Sequence, residues 1–336
     1  MISWSGPSLV GNNASMPLYD LPVEDLETYR TSARAPEDLT DFWDETLASA
    51  RAVATAPTLA RVDTGLPLVA TFDVSFSGFG GDPIRAWLHR PAGLDGSLPV
   101  VVRYQGYGGG RGLPHSIGLW PLAGYACLEV DTRGQGSGYL PGDTGDPFGS
   151  GPAHPGYLTR GLLDPQQYYY RRVFTDAVLA VDAALGMPGL DPGRIAVAGG
   201  SQGGGIAVAV ASLRSDVSAV LSDVPFLSDF RRASEIATTA PYRELTKYLA
   251  VHPDHVDRAF ATLAYFDVAV LGARASAPAL FSVALMDETC PPSTVYAAFN
   301  GYGGPKQLRS WPFNDHEGGH AFQEVEQIAF LRAHLG

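Results

Sequence analysis

A serine flanked by glycines stands where a buried strand is predicted to turn sharply into a helix. The stretch "RIAVAGGSQGGGIAVAVASL" contains Gly199-Gly200-Ser201-Gln202-Gly203, which fits the pattern G-x-S-x-G. At such a strand-turn-helix junction the serine hydroxyl is exposed, and the free N–H groups of the helix start point toward the developing oxyanion. The spacing therefore predicts nucleophilic catalysis by Ser201, with an ordinary tight turn as the alternative.

A serine nucleophile needs a histidine base and usually an acid that orients the imidazole. In the fold that carries this turn, the chain order is serine, acid, histidine. Asp287 ends the apolar run "ALFSVALMD", and His316 follows the later run "KQLRSWPF". Glu288 is the nearest competitor for the acid, and a helix cap or turn is the other role open to Asp287. We predict a triad of Ser201, Asp287 and His316.

An oxyanion hole needs two hydrogen-bond donors near the nucleophile. The backbone N–H of Gln202, the residue after the serine, is the expected first donor. The second donor normally comes from the loop after an earlier strand. The run "LPVVVRYQGYGGGRG" supplies such a loop, with Tyr104 at the strand end and glycines that let the backbone approach the site.

The stretch "NDHEGGHAF" offers a competing interpretation, because it fits the zinc-peptidase pattern H-E-x-x-H. Zinc binding would use His316 and His320 as ligands, with Glu317 as the base. Two histidines four residues apart converge on a metal only if the segment is helical, and each of Gly318 and Gly319 costs a helix about 1 kcal/mol relative to alanine. The zinc peptidase is therefore the alternative to a serine hydrolase, for which we expect neither metal nor cofactor.

A dinucleotide site is the other interpretation of the glycine-rich stretches. Asp223 follows Ser201 by about 20 residues, as a ribose-binding acid would. However, no G-x-G-x-x-G can be placed on residues 199–205 or on residues 104–112. The spacing thus argues against this site, while a non-catalytic binding module remains a further alternative.

The predicted elements around these residues indicate an α/β fold with a mostly parallel central sheet flanked by helices. "TFDVSFSGF" and "IRAWLHR" alternate apolar and polar residues as an antiparallel hairpin would. Short apolar runs such as "LPVVVRY", "RIAVAG" and "AVLSDV" are typical of strands buried on both faces. An amphipathic segment at about 20–55 precedes them, a helix is predicted at about 168–186, and a helical insertion is predicted at about 227–272.

Composition restricts the function classes. The chain has 336 residues and a formal net charge of −12, which disfavours nucleic-acid and anionic-membrane partners. Cys127 and Cys290 are too few for a disulfide framework, so both are expected to be reduced thiols. Residues 1–15 lack the features of a signal peptide, and no apolar stretch reaches membrane-span length. We expect a cytoplasmic protein with a flexible extension at 1–15 and one domain at 16–336.

The ordered set of motifs resembles carbohydrate esterase family 7, the acetyl xylan esterase and cephalosporin C deacetylase family of α/β-hydrolases. The resemblance covers nearly the whole chain from about residue 16. It is carried by "YQGYGGGRG", "DTRGQGSG", "RGLLDPQQYYYRRVFTDA", "AGGSQGGGIA", "DVPFLSDFRRA", "MDETCPPSTVYAAFN" and "NDHEGGHAFQ".

The resemblance implies the α/β-hydrolase fold and a serine esterase acting on small acetylated substrates. It assigns Ser201, Asp287 and His316 to the triad, and the N–H groups of Tyr104 and Gln202 to the oxyanion hole. It also marks a signature trio that positions loops near the site, namely Arg133, Gly134 and Gln135, although a structural ion pair is the alternative for the arginine. A cytoplasmic homo-hexamer that encloses the active sites is implied as well.

Overall fold

The computed structural model describes residues 20–94, 96–148 and 156–336, so the predicted extension at residues 1–15 lies outside the described residues. Within these ranges one sheet of nine strands forms the centre of the molecule. The strands are β1 (Thr58–Val62), β2 (Val69–Ser77), β3 (Pro83–Pro91), β4 (Leu98–Tyr104), β5 (Ala126–Val130), β6 (Leu190–Gly200), β7 (Ala219–Asp223), β8 (Ala279–Ala284) and β9 (Lys306–Trp311). Their order across the sheet is β1-β2-β3-β5-β4-β6-β7-β8-β9.

The helices of the described residues flank this sheet. They are α1 (Val23–Leu26), α2 (Leu39–Ala52), α3 (Leu119–Leu122), α4 (Tyr169–Leu185), α5 (Gln202–Leu213), α6 (Phe230–Ile236), α7 (Tyr242–Val251), α8 (Val256–Leu263), α9 (Val268–Leu271), α10 (Pro292–Gly301) and α11 (His320–Leu335). The predicted insertion at about 227–272 contains α6 to α9, and α4 matches the helix predicted at about 168–186. Among the described helices, none has the length and apolarity that a membrane crossing requires.

The pairing of the strands divides the sheet into two parts. β1, β2, β3 and β5 pair antiparallel, whereas β5, β4 and β6 to β9 pair parallel in their sheet order. The predicted hairpin is β2 with β3. The edge strand β1 was absent from the sequence prediction, because its residues are largely exposed and carry no buried apolar run.

Apolar side chains cover both faces of the central parallel strands. One face packs against α2, α4 and α5 in a large cluster that contains Trp43, Phe174 and Phe266. The other face packs against α11 through a smaller cluster that includes Val101, Leu221 and Leu331. The charged residues of β4, β5 and β7 stand at or next to the carboxyl ends of these strands. The carboxyl edge of a parallel sheet is where ligand-binding crevices form.

Candidate active site

Ser201 occupies the sharp turn between β6 and α5, with φ 56° and ψ −120°. Few residues other than glycine adopt a positive φ, and such strain persists only where surrounding contacts enforce it. Here the backbone of the turn is held on both sides: Ser201 N donates to the carbonyl of Asp223 at 2.9 Å, and the Ser201 carbonyl accepts from Phe226 N at 2.9 Å. The conformation is therefore fixed by β7 and the loop that follows it.

The glycines of the G-x-S-x-G stretch allow three backbone segments to meet at the turn. A Cβ placed on Gly203 would lie 2.2 Å from the carbonyl oxygen of Tyr104, and one on Gly199 would lie 2.3 Å from the carbonyl carbon of Gly203. Neither separation is possible for a real side chain. The start of α5, which contains Gln202, thus packs directly on the end of β4, which contains Tyr104.

Asp287 and His316, which the sequence predicts as acid and base, are in hydrogen-bond contact. Asp287 is fully buried after β8, and its Oδ1 accepts hydrogen bonds from the N–H groups of Thr289 and Cys290, both at 2.8 Å. Its Oδ2 lies 2.9 Å from Nδ1 of His316. With a proton on Nδ1, the imidazole presents Nε2 as a base. The competitor Glu288 instead accepts a hydrogen bond from Thr238 Oγ1 at 2.5 Å.

Ser201 and His316 line one cavity of about 660 Å³ at the carboxyl edge of the sheet. The His316 side chain is 33% exposed, so the imidazole is accessible to a bound molecule. Three separate loops therefore bring the strained serine, the histidine and the buried carboxylate together at this edge of the sheet. This arrangement suits acyl transfer, while the individual catalytic roles stay predictions.

Tyr104 and Gln202 are buried residues whose side chains are engaged away from the nucleophile. The Tyr104 hydroxyl donates to the carbonyl of Ala177 at 2.9 Å. Oε1 of Gln202 accepts from the Tyr170 hydroxyl at 2.8 Å and from Gln135 Nε2 at 2.9 Å. These contacts fix the start of α5, so the N–H of Gln202 has a set direction. The oxyanion role of both N–H groups remains a prediction.

The Arg133-Gly134-Gln135 trio separates into two kinds of contact. Arg133 is fully buried, and its Nε and Nη2 donate to the Asp176 carboxylate at 2.6 and 2.7 Å. Gly134 has φ +69°, a conformation that favours glycine. Gln135 joins two site loops, because its Oε1 accepts from Gly108 N at 2.7 Å while its Nε2 reaches Gln202. The contacts fit a loop-positioning role for Gln135 and an ion pair for Arg133.

The H-E-x-x-H stretch does not form the helix that a zinc peptidase requires. Gly318 and Gly319 have φ of +61° and +95°, and α11 begins only at His320. Glu317 is exposed and accepts a hydrogen bond from Asn314 Nδ2 at 2.6 Å, which lowers the pKa of its carboxyl. His316 therefore lies in a turn before the helix that His320 starts. The two imidazoles lack the shared helical face on which zinc ligands converge.

Two parts of the site were missed by the sequence reasoning. Cys290, expected only to be reduced, is a free buried thiol in hydrogen-bond contact with the Ser201 side chain, and burial raises its pKa well above the ordinary value. The second part is a group of polar side chains that line the cavity beside the serine. In that group Asp223 accepts from Gln323 Nε2 at 2.9 Å, and burial raises the Asp223 pKa to about 6.

The sequence does contain a signal for these polar side chains, namely a charged residue within an otherwise apolar strand. Arg103 in "LPVVVRY" and Glu129 in "ACLEV" both interrupt otherwise apolar strands, and both line the cavity. Their meeting depends on the register of β4 against β5, which no local pattern gives.

The sequence profile of the acetyl xylan esterase (AXE1) family matches residues 16–334. Among curated proteins, the acetyl esterase Axe7A of Xylanibacter ruminicola is 28% identical over 295 residues, which are 86% of this chain. The chain spans 65% of the length of that relative.

Two solved structures are similar over nearly the full length of both chains. The acetyl xylan esterase from Paenibacillus sp. R4 superimposes with a TM-score of 0.88 at 37% identity, covering 94% of this chain and 100% of that one. Acetyl xylan esterase 1 from Thermoanaerobacterium sp. JW/SL YS485 gives 0.86 at 31% identity, with 93% and 99% covered. The predicted α/β-hydrolase fold is confirmed.

Proposed function

The chain belongs to the acetyl xylan esterase family, and from that premise we propose that it is a serine esterase that removes acetyl groups from small acetylated substrates. The observation that carries the proposal is the contact of 2.9 Å between His316 Nδ1 and Asp287 Oδ2, in the cavity that also contains the strained Ser201.

In the proposed acylation step, Nε2 of His316 takes the hydroxyl proton while Ser201 Oγ attacks the acetyl carbonyl carbon. The carbonyl oxygen becomes an oxyanion, which the N–H groups of Tyr104 and Gln202 stabilise. His316 then gives its proton to the departing alcohol, leaving the acetyl group on the serine. Asp287 holds the imidazole orientation and stabilises the imidazolium form.

Deacylation repeats this sequence with water as the nucleophile. His316 removes a proton from water, the resulting hydroxide attacks the acetyl-enzyme, and the proton returns to Ser201 Oγ as acetate leaves. Each proton taken by His316 is thus returned within the half-reaction, so the proposed cycle uses only residues of this chain and water.

The proposed substrates are acetylated xylo-oligosaccharides and the acetoxymethyl group of cephalosporin C. A cavity of about 660 Å³ is in the size range of small-molecule sites. Because the similar proteins are named acetyl esterases, short acyl chains are expected to react faster than butyryl or longer ones.

The test is an initial-rate panel of acetylated xylobiose, cephalosporin C and p-nitrophenyl esters of rising acyl length, run on wild type and Ser201→Ala. We expect acetate esters to be preferred and Ser201→Ala to lose at least about 10³-fold in kcat, as removal of a catalytic nucleophile does. Retention of wild-type rates by Ser201→Ala would reject the mechanism. Equal turnover of acetate and octanoate esters would reject the acyl preference.

A metal-dependent peptidase is distinguished by two treatments of the same preparation. The proposed serine esterase keeps its activity in EDTA and loses it when an organophosphate labels Ser201. Lasting inactivation by EDTA that zinc restores would instead support metal catalysis by His316, Glu317 and His320.

We also propose a cytoplasmic homo-hexamer in which the active sites face an enclosed cavity. The proposal rests on the family resemblance, and the helices of residues 227–272 are the segment that would contribute to the interfaces. Light scattering coupled to size-exclusion chromatography tests it, and a monomer at all concentrations would overturn it.

A further inference from the structure

A polar wall lines the cavity beside Ser201, and we define it as Arg103, Gln105, Glu129, Asp223 and Gln323. Arg103 of β4 pairs directly with Glu129 of β5 in the parallel register. Earlier positions on the same face of these strands, Val101 and Cys127, are apolar and fully buried. The switch from apolar to charged side chains therefore occurs where the sheet face meets the cavity.

Glu129 organises the wall. Its side chain is only 5% exposed, and its Oε2 accepts from Arg103 Nη1 and from Gln105 Nε2, both at 3.0 Å. Arg103 uses Nη1 for both contacts with this carboxylate, and 44% of its side chain is exposed. A buried carboxylate thus holds a guanidinium whose remaining surface is open to a bound molecule.

Asp223 and α11 complete the wall on the side of the nucleophile. Asp223 accepts from the amides of Gln323 at 2.9 Å and Gln327 at 2.5 Å. The aromatic residues Trp120 and Tyr139 also line the cavity. Guanidinium, carboxylate and amide groups provide both donors and acceptors, which is what a molecule with several hydroxyl groups requires, and aromatic faces pack against its apolar edges.

We infer that the polar wall is a subsite for the alcohol part of the ester, and that it selects a neutral sugar over an anionic alcohol. This inference rests on the proposed esterase function. The charges in the cavity support a neutral alcohol. Besides two histidines, the cavity is lined by one guanidinium, that of Arg103, and by four carboxylate residues, namely Glu129, Asp223, Glu317 and Glu324. This excess of negative charge disfavours an anionic alcohol relative to a neutral one, so cephalosporin C, which carries a carboxylate, is expected to react more slowly than acetylated xylobiose.

Two variants that each remove one charge test the subsite. Arg103→Gln removes the guanidinium, and kcat/KM for acetylated xylobiose relative to p-nitrophenyl acetate is expected to fall about tenfold or more, the effect of losing a charge-assisted hydrogen bond. Glu129→Gln leaves the guanidinium without its buried counter-charge. In that variant kcat/KM for acetylated xylobiose relative to cephalosporin C, which carries a carboxylate, is expected to fall about fivefold or more.

The matched controls are Arg309→Gln and Glu326→Gln, which remove an exposed ion pair outside the cavity. Both ratios should stay within about twofold of wild type in these controls, because exposed pairs contribute little. The subsite would be overturned if both kcat/KM ratios were unchanged in Arg103→Gln and Glu129→Gln while circular dichroism showed that the variants are folded. Arg103 and Glu129 would then form only a structural ion pair.

Binding of xylobiose to Ser201→Ala, measured by calorimetry, separates failure of the subsite from failure of the esterase proposal. Xylobiose carries no ester, so its affinity requires no catalysis. We expect Arg103→Gln in the Ser201→Ala background to weaken this binding about tenfold. Weaker xylobiose binding in the Arg103→Gln variant would show a sugar subsite even if no acetyl ester is cleaved. Xylobiose binding that Arg103→Gln leaves unchanged would overturn the subsite even if esterase activity is found.

Discussion

Gly203→Ala is the substitution that most directly tests how the turn at Ser201 is built. The new methyl carbon would lie 2.2 Å from the carbonyl oxygen of Tyr104 and 2.8 Å from its carbonyl carbon. Both atoms belong to the backbone of β4, which is paired on both sides within the sheet. The clash therefore cannot be relieved by a side-chain rotation, and the start of α5 must move away from β4.

The size of the effect follows from the displacement. Raising a separation of 2.2 Å to a normal contact requires a shift of about 1 Å. Forced displacement in a packed interior costs about 1–3 kcal/mol of folding stability. A misplacement of about 1 Å between reacting groups costs about 10²-fold in rate. Because Ser201 and Gln202 lie just before Gly203 in the chain, we expect Gly203→Ala to lower both folding stability and kcat. The fall in kcat should exceed what unfolding of a fraction of the molecules could cause.

The assay compares Gly203→Ala with Gly200→Ala in the same motif. A Cβ on Gly200 would meet Asp223 Cβ at 3.9 Å, which is an ordinary contact. We therefore expect Gly200→Ala to stay within about 0.5 kcal/mol of wild type in urea unfolding, and within about threefold in hydrolysis of p-nitrophenyl acetate. Gly203→Ala should lose about 10²-fold in kcat in the same measurement.

Equal rates for Gly203→Ala and wild type would refute the reasoning, since they would mean that the close approach of α5 to β4 does not position the site. An equal loss in both alanine variants would also refute it. The second result would show that any carbon added to the motif lowers activity, whether or not it contacts Tyr104.

Three further predictions concern stability and chemistry. Arg133→Met should lower the free energy of unfolding by about 3–5 kcal/mol, because it leaves the buried Asp176 carboxylate without its partner, whereas Arg51→Met at an exposed pair should cost less than about 1 kcal/mol in the same urea titration. Burial, followed by the charge of Asp229, raises the Asp267 pKa to about 7. The folded state therefore binds a proton that the unfolded state releases, and this group adds stability as pH falls from 7 toward 4. The free energy of unfolding of wild type, relative to that of Asp267→Asn, should accordingly increase by about 1 kcal/mol for each unit by which the pH falls from 7 to 5. A difference that does not change with pH would contradict the assignment. Lengthening the acyl group of a p-nitrophenyl ester from acetyl to butyryl should lower kcat/KM, with Ser201→Ala inactive on both.

Much of the fold was predictable because strongly patterned segments take their structure from local sequence. The buried runs became the parallel strands, and α4 spans Tyr169–Leu185 where the sequence indicated a helix at about 168–186. The edge strand β1 was not predicted, since an exposed strand needs no apolar pattern. Its pairing with β2 is decided by the sheet as a whole.

The sequence by itself determined the candidate residues for the proposed chemistry and their order along the chain. A glycine-flanked serine, a later acid and a final histidine are recognisable because their turns demand particular residue types. It also showed that Gly318 and Gly319 oppose a zinc-binding helix, and the structure gives both a positive φ.

Only the tertiary structure decided which side chains share the cavity. Arg103 and Glu129 lie 26 positions apart, and their pairing follows from the register of two strands rather than from any motif. Cys290 is in contact with Ser201 only because the loops after β6 and β8 converge at one edge of the sheet. Register and strand order arise from packing of the whole core, and therefore the lining of the site could not be obtained from local sequence.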